Sequence, residues 1–398
     1  MIYLQHGPMW KPKTEELLGK KLIRGIIWDP REENIERINT IRQENSEYSK
    51  ISNIVDLKLF YRQFPNSTMK NLENLDYFPN KIIDRNYFRD LEEVKSKVKK
   101  MVEFQNIMNI TEYLSPALYM ASFNERIIER LFDVDDLFYD LVKESSKGII
   151  LSLIIHESAF DNDTYMKEFI DDVSNYIGKY TGIYLVIDRD NSSTIRHSFS
   201  ETRLANVLKF IYSLKKMKFK VMIGYTGIES INYMAVGADV IATGWFYSLR
   251  RFNRLEKGLE EYSNMGRAKK RYLSLNLLSE LTIDDNIQSI PKEQKTELYK
   301  VIFNGNSLDE EIKTQSYELI PIKNTFIQYF EGMNELNNKF DGIEEIEDKL
   351  LELENMLNRA IENVDFYNEK RQGIGSITKK HLLDYLNAIK KFKEENYI

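Results

Sequence analysis

Short apolar runs alternate with longer amphipathic stretches over roughly the first 250 residues of the chain. The clearest runs are GIILSLII at 148–155 and GIYLVI at 182–187, and continuous runs of this kind are typical of strands buried on both faces. Apolar positions every three or four residues between the runs predict helices. The pattern gives eight predicted strands, which begin at Ile2, Leu22, Ile54, Glu112, Gly148, Gly182, Val221 and Val240.

Alternation of strands with helices predicts a parallel sheet. A count of eight favours a closed (β/α)8 TIM-like barrel, and an open doubly wound sheet is the alternative. The third strand is predicted over 54–61, where apolar and polar residues alternate. Pro30 is predicted to start a helix over 31–43 after the second strand, and a helix that carries Arg250 and Arg251 is predicted after the eighth strand.

The composition changes after Phe252, where the chain becomes charged and poor in glycine. We therefore predict two domains, a barrel over 1–262 and an α-helical C-terminal region over 263–398. A short coiled-coil segment is predicted from apolar positions spaced three and four residues apart. These positions are Ile343, Ile346, Leu350, Leu353, Leu357, Ala360 and Val364. The segment is interpreted as part of a hairpin packed on its own chain, with an oligomerisation arm as the alternative.

Composition excludes several classes of site. The chain has 398 residues and no cysteine, which excludes disulfides, a cysteine nucleophile and thiolate metal ligands. The net charge of −6 does not favour non-specific binding to nucleic acid. The N-terminal residues MIYLQHGPMW do not resemble a signal peptide, and no apolar run is long enough to span a bilayer. We therefore expect a cytoplasmic protein without membrane partners.

The carboxyl ends of the strands are where a barrel of this type places its active site. Asp188 follows the clean strand at 182–187 and is the best single candidate for a base, nucleophile or metal ligand. Glu157 could supply a second carboxylate, and His156 lies beside it. The predicted catalytic residues are therefore Asp188, Glu157 and His156. No metal-ligand spacing is present, so no metal site is predicted.

Glycines follow the last two predicted strands and predict a phosphate site. Backbone amides at such glycines can approach an anion closely, and the start of the predicted helix near Trp245 would add positive potential. Arginines would clamp the anion, and aromatic residues would offer stacking surfaces for a base. The predicted binding residues are Arg62, Arg189, Gly224, Tyr225, Thr226, Gly227, Thr243, Gly244, Trp245, Arg250 and Arg251.

The segment VMIGYTGIESINYMAVGADVIATG resembles the seventh and eighth strand region of phosphate-binding TIM barrels, and its continuation WFYSLRRFNRLEKG is similar to tRNA-guanine transglycosylases. The resemblance covers about thirty-five residues. It implies that the glycine loops hold a phosphate, as they hold FMN or a nucleotide in such barrels. Two departures are plain, because the cysteine zinc site of the transglycosylases is missing and Thr243-Gly244 stands where an aspartate is expected.

These observations favour an enzyme that acts on a phosphate-bearing substrate. The substrate is expected to be a nucleotide or a nucleic-acid component, with a glycosidic bond as one possible target, so the enzyme would be a transferase or hydrolase. No cofactor is predicted, with FMN or a divalent metal as alternatives. A non-catalytic barrel that serves as a recognition or scaffold subunit through its helical tail is the competing hypothesis. Loops closed over the strand ends would argue against the enzyme.

Overall fold

The structure is a computed structural model that describes residues 1–8, 11–190, 197–254, 256–259 and 269–396. Within these residues the chain forms two compact units. The first contains residues 1–190, 210–226 and 237–259, and the second contains 197–209, 227–236 and 269–396. The predicted domain boundary at 262/263 lies outside the described residues.

Nine parallel strands form the sheet of the first unit. Their bounds are β1 (Ile2–Gln5), β2 (Gly25–Trp28), β3 (Ser52–Val55), β4 (Glu112–Leu114), β5 (Tyr119–Met120), β6 (Gly148–His156), β7 (Gly182–Asp188), β8 (Lys220–Gly224) and β9 (Val240–Thr243). Apart from the two-residue β5, which pairs with β6, the strands follow the order β3-β2-β1-β9-β8-β7-β6-β4. This order is the chain order of an eightfold barrel, and it confirms the predicted fold.

The barrel closes between β3 and β4. The amide of Thr111, just before β4, donates to the carbonyl of Asn53 at 2.8 Å, and the Thr111 hydroxyl accepts from the Asn53 amide at 2.9 Å. These bonds replace a full strand ladder, so the barrel is nearly closed. β6 pairs with β4 on one side and with β7 on the other, and β6 and β7 share the longest register, from Ile150↔Gly182 to His156↔Asp188. Their side chains are buried, as expected for continuous apolar strands.

Helices follow most of the strands. The bounds are α1 (Lys11–Gly19), α2 (Ile35–Glu44), α3 (Leu91–Ile107), α4 (Ile127–Val142), α5 (Asp163–Ser174), α6 (Glu201–Lys216) and α7 (Ser230–Ala235). Side chains cap several starts, because Asn34, Asp90 and Asn162 accept from backbone amides three residues later. The predicted helix start at Pro30 is therefore wrong, since the polar cap Asn34 sets the start of α2.

Two further predictions near the strand ends are wrong. β3 ends at Val55 and not at Tyr61, because the chain turns at Lys58 into a 3-10 helix over Leu59–Gln63. No helix carries Arg250 and Arg251, since only the 3-10 turn Tyr247–Leu249 follows β9. The backbone beyond that turn is extended at Phe252, where it forms an isolated bridge with Asp188.

The second unit is mostly helical. Its C-terminal elements are β10 (Arg271–Ser274), β11 (Ser279–Thr282), α8 (Lys292–Ile302), α9 (Ser307–Thr314), α10 (Ile322–Asp341), α11 (Ile346–Arg371) and α12 (Lys380–Asn396). The hairpin of β10 and β11 is antiparallel, and it corrects the expectation of a tail that is helical throughout. The alternation of polar and apolar residues in these two short strands is too brief to distinguish them from helix by pattern alone.

The predicted coiled-coil positions lie on α11, except for Ile343, which precedes it. Leu350, Leu353, Leu357, Ala360 and Val364 are buried, and α11 packs against α7, α8 and α12 of the same unit. These contacts agree with the interpretation of a helix packed on its own chain. The oligomerisation arm stays a prediction. Among the described residues, no helix is both long enough and apolar enough to cross a membrane.

Substitution of Leu353 by alanine tests whether α11 is held by its own unit. Leu353 is fully buried, so Leu353→Ala is expected to lower the free energy of unfolding by about 2–5 kcal/mol. Leu351→Ala is the matched control, because Leu351 is 53% exposed on the same helix, and it should change little. Urea unfolding followed by circular dichroism gives both values. Equal effects of the two substitutions would contradict the packing.

Candidate functional site

A buried network of charges lies at the carboxyl ends of β2, β3 and β8. The ammonium of Lys58 donates to Asp56 Oδ2 and to the Tyr225 hydroxyl, both at 2.6 Å, and lies 3.5 Å from Asp29 Oδ2. All four side chains are almost completely buried. Charge burial is costly unless the charges are paired, and here one ammonium is shared by two carboxylates.

The pKa values of the charged groups in this network shift in different directions. Burial raises the pKa of Asp56, although Lys58 opposes the shift. For Asp29 the charges of Lys58 and Arg31 outweigh burial, so its pKa is lowered. Burial would lower the pKa of Lys58, but the two carboxylates outweigh it and raise that pKa well above its usual value. Lys58 therefore remains an ammonium, and it holds the network together.

Two residues of the network have strained backbones. Lys58 and Tyr225 adopt left-handed conformations, with φ of +57° and +53°. Non-glycine residues in this region cost on the order of 1–3 kcal/mol each and concentrate at functional sites. The strain coincides with the hydrogen bond between their side chains. Buried charge and backbone strain in one place mark the strand ends as the candidate functional region.

Segment 244–254, which follows β9, covers this network. The ring of Phe252 contacts Phe60 at 5.7 Å and Tyr225 at 5.4 Å between centroids. The Phe252 carbonyl accepts from the Arg189 amide at 2.9 Å, which ties the segment to the end of β7. The central network is therefore closed to solvent in this conformation.

The predicted glycine cradle is also filled. Leu249 packs so closely on Gly7 and Gly244 that a β-carbon at either glycine would overlap with it. The Thr226 amide donates to the Ala242 carbonyl at 3.2 Å, and the Gly227 amide donates to the Glu229 carboxylate at 2.9 Å. The amides expected to bind a phosphate are thus used within the protein, and the anion site there stays a prediction.

Other predicted binding residues have partners of their own. Arg250 donates to the carbonyls of Gly244 and Trp245, and Arg251 pairs with Glu256 at 2.5 Å. Arg62 donates to the Pro79 carbonyl. Thr243 and Trp245 are fully buried, and Gly224 lies against the ring of Tyr184. These interactions leave the predicted role in binding untested. They show that the three arginine side chains form hydrogen bonds and ion pairs with loop residues of the protein itself.

Asp188 lies at one edge of the barrel mouth. Its Oδ2 accepts from the Tyr119 hydroxyl at 2.8 Å and from Arg254 Nε at 2.9 Å, and its Oδ1 accepts from the Arg254 amide at 3.0 Å. Burial raises the pKa of Asp188 to about 6, and the bonds from Tyr119 and Arg254 limit that rise. A carboxyl group of this kind populates both protonation states near neutral pH.

The other predicted catalytic residues surround the end of β6. Glu157 pairs with Arg189 at 2.6 Å, and its second oxygen accepts from the Asp190 amide at 2.8 Å. His156 contacts Asp190 through Nε2 at 2.9 Å and Ser158 through Nδ1 at 2.6 Å. The side chains of Asp190 and Arg254 are about one-third exposed, at 32% and 30%. This edge is therefore in contact with solvent, unlike the central network.

The sequence did not single out four residues of these clusters, namely Lys58, Asp56, Tyr119 and Arg254. The signal for Lys58 and Asp56 was Asp-Leu-Lys directly after a strand, but the strand was predicted to continue to Tyr61. Tyr119 reaches Asp188 from the short strand β5 and Arg254 from the segment after β9, and no local pattern indicates such contacts. Within the described parts of the chain, no group of three or more His, Asp or Glu side chains could hold a metal ion.

The strand order and the polar residues at the strand ends define an eightfold β/α barrel with a candidate site at its mouth. No family model matches the chain, and no curated protein matches it. Among solved structures, 3-hexulose-6-phosphate synthase from Salmonella typhimurium is similar, with 11% identity over 61% of this chain and 88% of that chain and a TM-score of 0.33. The resemblance to tRNA-guanine transglycosylases is not confirmed.

Replacement of Lys58 tests the central network. Lys58→Met leaves Asp56 and Asp29 buried without their ammonium, so the free energy of unfolding is expected to fall by about 3–5 kcal/mol. Lys50→Met is the control, because Lys50 forms an exposed pair with Glu47 and should contribute about 1 kcal/mol or less.

The combination Lys58→Met with Asp56→Asn should recover part of the loss, since one unpaired charge is removed. Urea unfolding of the wild type, Lys58→Met, Asp56→Asn and the double variant measures this coupling. If Lys58→Met costs no more than Lys50→Met, the network does not stabilise the barrel.

Proposed function

We propose that the protein is an enzyme that acts on a phosphate-bearing substrate, with its reaction centre at Asp188. The observation that carries the proposal is a carboxyl group with a pKa near 6, held by Tyr119 and Arg254 at the solvent-facing edge of the barrel mouth. Carboxyl groups tuned in this way are concentrated at the reaction centres of enzymes.

Asp188 acts as the general base or the nucleophile in this proposal. Burial weakens its charged form, and the Tyr119 hydroxyl donates a hydrogen bond to its Oδ2. Burial and the charge of Asp188 raise the pKa of Tyr119, so Tyr119 remains a protonated donor. Arg254 supplies positive charge beside the same oxygen. His156 and Asp190 form a hydrogen-bonded pair close by that could carry the proton to solvent.

Glu157 has a positioning role in the proposal. Its carboxylate binds both the Arg189 side chain and the Asp190 amide, and so fixes the turn that presents Asp188 and Asp190. A nucleotide or a nucleic-acid component is the proposed substrate within the phosphate-bearing class. A glycosidic bond is the proposed target, because its cleavage uses a carboxylate as base or nucleophile.

A non-catalytic barrel is the second candidate function, and a specific observation favours it. Segment 244–254 covers the central network, and Leu249 fills the corner between Gly7 and Gly244. A barrel used as a recognition or scaffold subunit needs no open mouth. The catalytic proposal therefore rests on the Asp188 edge, where the partners Arg254 and Asp190 reach solvent.

Conversion of Asp188 to asparagine separates the two candidates. The purified protein is incubated with a panel of nucleotides, sugar phosphates and short oligonucleotides, and mass spectrometry follows their consumption. We expect the wild type to consume at least one class and Asp188→Asn to lose about 100-fold or more in turnover. As the base, Asp188 must be ionised, so kcat/KM should rise as the pH passes through about 6.

Asp171→Asn is the matched control, because Asp171 is exposed on α5 and should leave turnover unchanged. Tyr119→Phe should shift the pH profile upwards, since the carboxylate loses a hydrogen-bond donor. An unchanged rate in Asp188→Asn would refute the assignment, and no consumption of any class by the wild type would favour the scaffold.

A further inference from the structure

A groove rich in arginine lies beside the Asp188 edge. Its volume is about 980 Å³, which is near the upper end of the range of ligand-binding clefts. It lies where the 3-10 turn Tyr87–Arg89 and the start of α4 face one another. The residues that the inference uses are Gln63, Arg85, Phe88, Arg89, Arg126 and Arg130.

Three of the four arginines lack an acidic partner. Arg130 pairs with Asp133 at 2.8 Å on the exposed side of α4. In the part of the chain that the structure describes, Arg85, Arg89 and Arg126 form no ion pair, and all three are exposed. Other exposed cations of this chain stand beside a carboxylate, as Lys70 does with Glu32. Three guanidinium groups around one groove are therefore available to an external anion.

The acidic residues of the groove oppose this charge only in part. The carboxylate of Asp84 accepts from the amides of Asn86 and Tyr87, so it is already bound to the turn that carries Arg85. Burial raises the pKa of Glu125. Glu129 remains exposed on α4. The groove thus carries four guanidinium groups and three carboxylates, and among the described residues Arg85, Arg89 and Arg126 are the groove cations without an ion pair.

Gln63 connects the groove with the proposed reaction centre. Its amide group exchanges two hydrogen bonds with the backbone of Tyr119, at 3.2 and 2.6 Å. The hydroxyl of the same tyrosine donates to Asp188. Tyr119 therefore connects Gln63, at the end of the groove, with the carboxyl group of Asp188.

We propose that this groove binds the sugar–phosphate backbone of a single-stranded nucleic acid, whose adjoining nucleotide is presented to Asp188. The inference rests on the proposed function and specifies its substrate as a chain of nucleotides. Separate guanidinium groups suit successive phosphates, and the exposed Asn124 offers an amide group to a base. A lipid surface fits poorly, because the groove is concave and a bilayer is flat.

Binding of a fluorescein-labelled single-stranded oligonucleotide tests the inference. A length of about ten nucleotides lies within the ~4–16 nucleotides that single-strand sites cover. The full-length triple variant Arg85→Ala/Arg89→Ala/Arg126→Ala should bind roughly tenfold or more weakly by fluorescence anisotropy. The slope of log Kd against log salt concentration should fall by about 2, at ~0.7 for each of three phosphate contacts.

The matched control is Arg24→Ala/Arg37→Ala/Arg359→Ala, which removes the same charge from exposed positions elsewhere and should keep the wild-type affinity and salt slope. Thermal melting by circular dichroism establishes that both variants fold. Asp188→Asn should bind the oligonucleotide as the wild type does. A failure of the binding proposal can therefore be distinguished from a failure of the catalytic proposal.

Three results would overturn the inference. The first is a wild type that does not bind the oligonucleotide. The second is an equal loss of affinity in the two triple variants. The third is a groove variant that loses binding to phosphatidylserine vesicles but not to the oligonucleotide, since the anion would then belong to a lipid.

Discussion

The burial of Lys58 between Asp56 and Asp29 is the constraint on which the mouth of the barrel depends. One ammonium serves two carboxylates and a tyrosine hydroxyl, all of them withdrawn from water. Such a group is stable only if its surroundings exclude competing water and hold every partner in place. Lys58 and Tyr225 both have left-handed backbones, and their side chains form a hydrogen bond with each other.

The cover over this network explains why the candidate site lies at an edge. Phe252 closes the centre by its contacts with Phe60 and Tyr225, and its backbone joins the end of β7. The same segment then brings Arg254 to Asp188. One stretch of chain thus seals the central charges and completes the polar edge. The glycines after β8 and β9 serve this closure in the present conformation, since Leu249 occupies the space beside Gly244.

Much of the fold could be predicted from sequence, because strands such as β6 and β7 are long apolar runs whose pattern is local. The turn at Lys58 could not, since its left-handed backbone is stabilised by distant groups, above all Tyr225. Asp188 was predictable as a polar residue that ends a buried strand. Its partners Tyr119 and Arg254 were not, because they lie 69 and 66 residues away along the chain. The charge of the groove was also hidden, since its arginines are dispersed between Arg85 and Arg130.

The central claim is that external phosphate is bound beside Asp188 and not at the glycine corner. The most direct measurement is a crystal structure of the full chain with a phosphorothioate-labelled oligonucleotide, in which anomalous scattering from sulfur locates the phosphates. The account predicts sulfur positions among Arg85, Arg89 and Arg126, with Leu249 still packed on Gly244. Sulfur positions at Gly224 and Gly244, with Leu249 displaced, would contradict it.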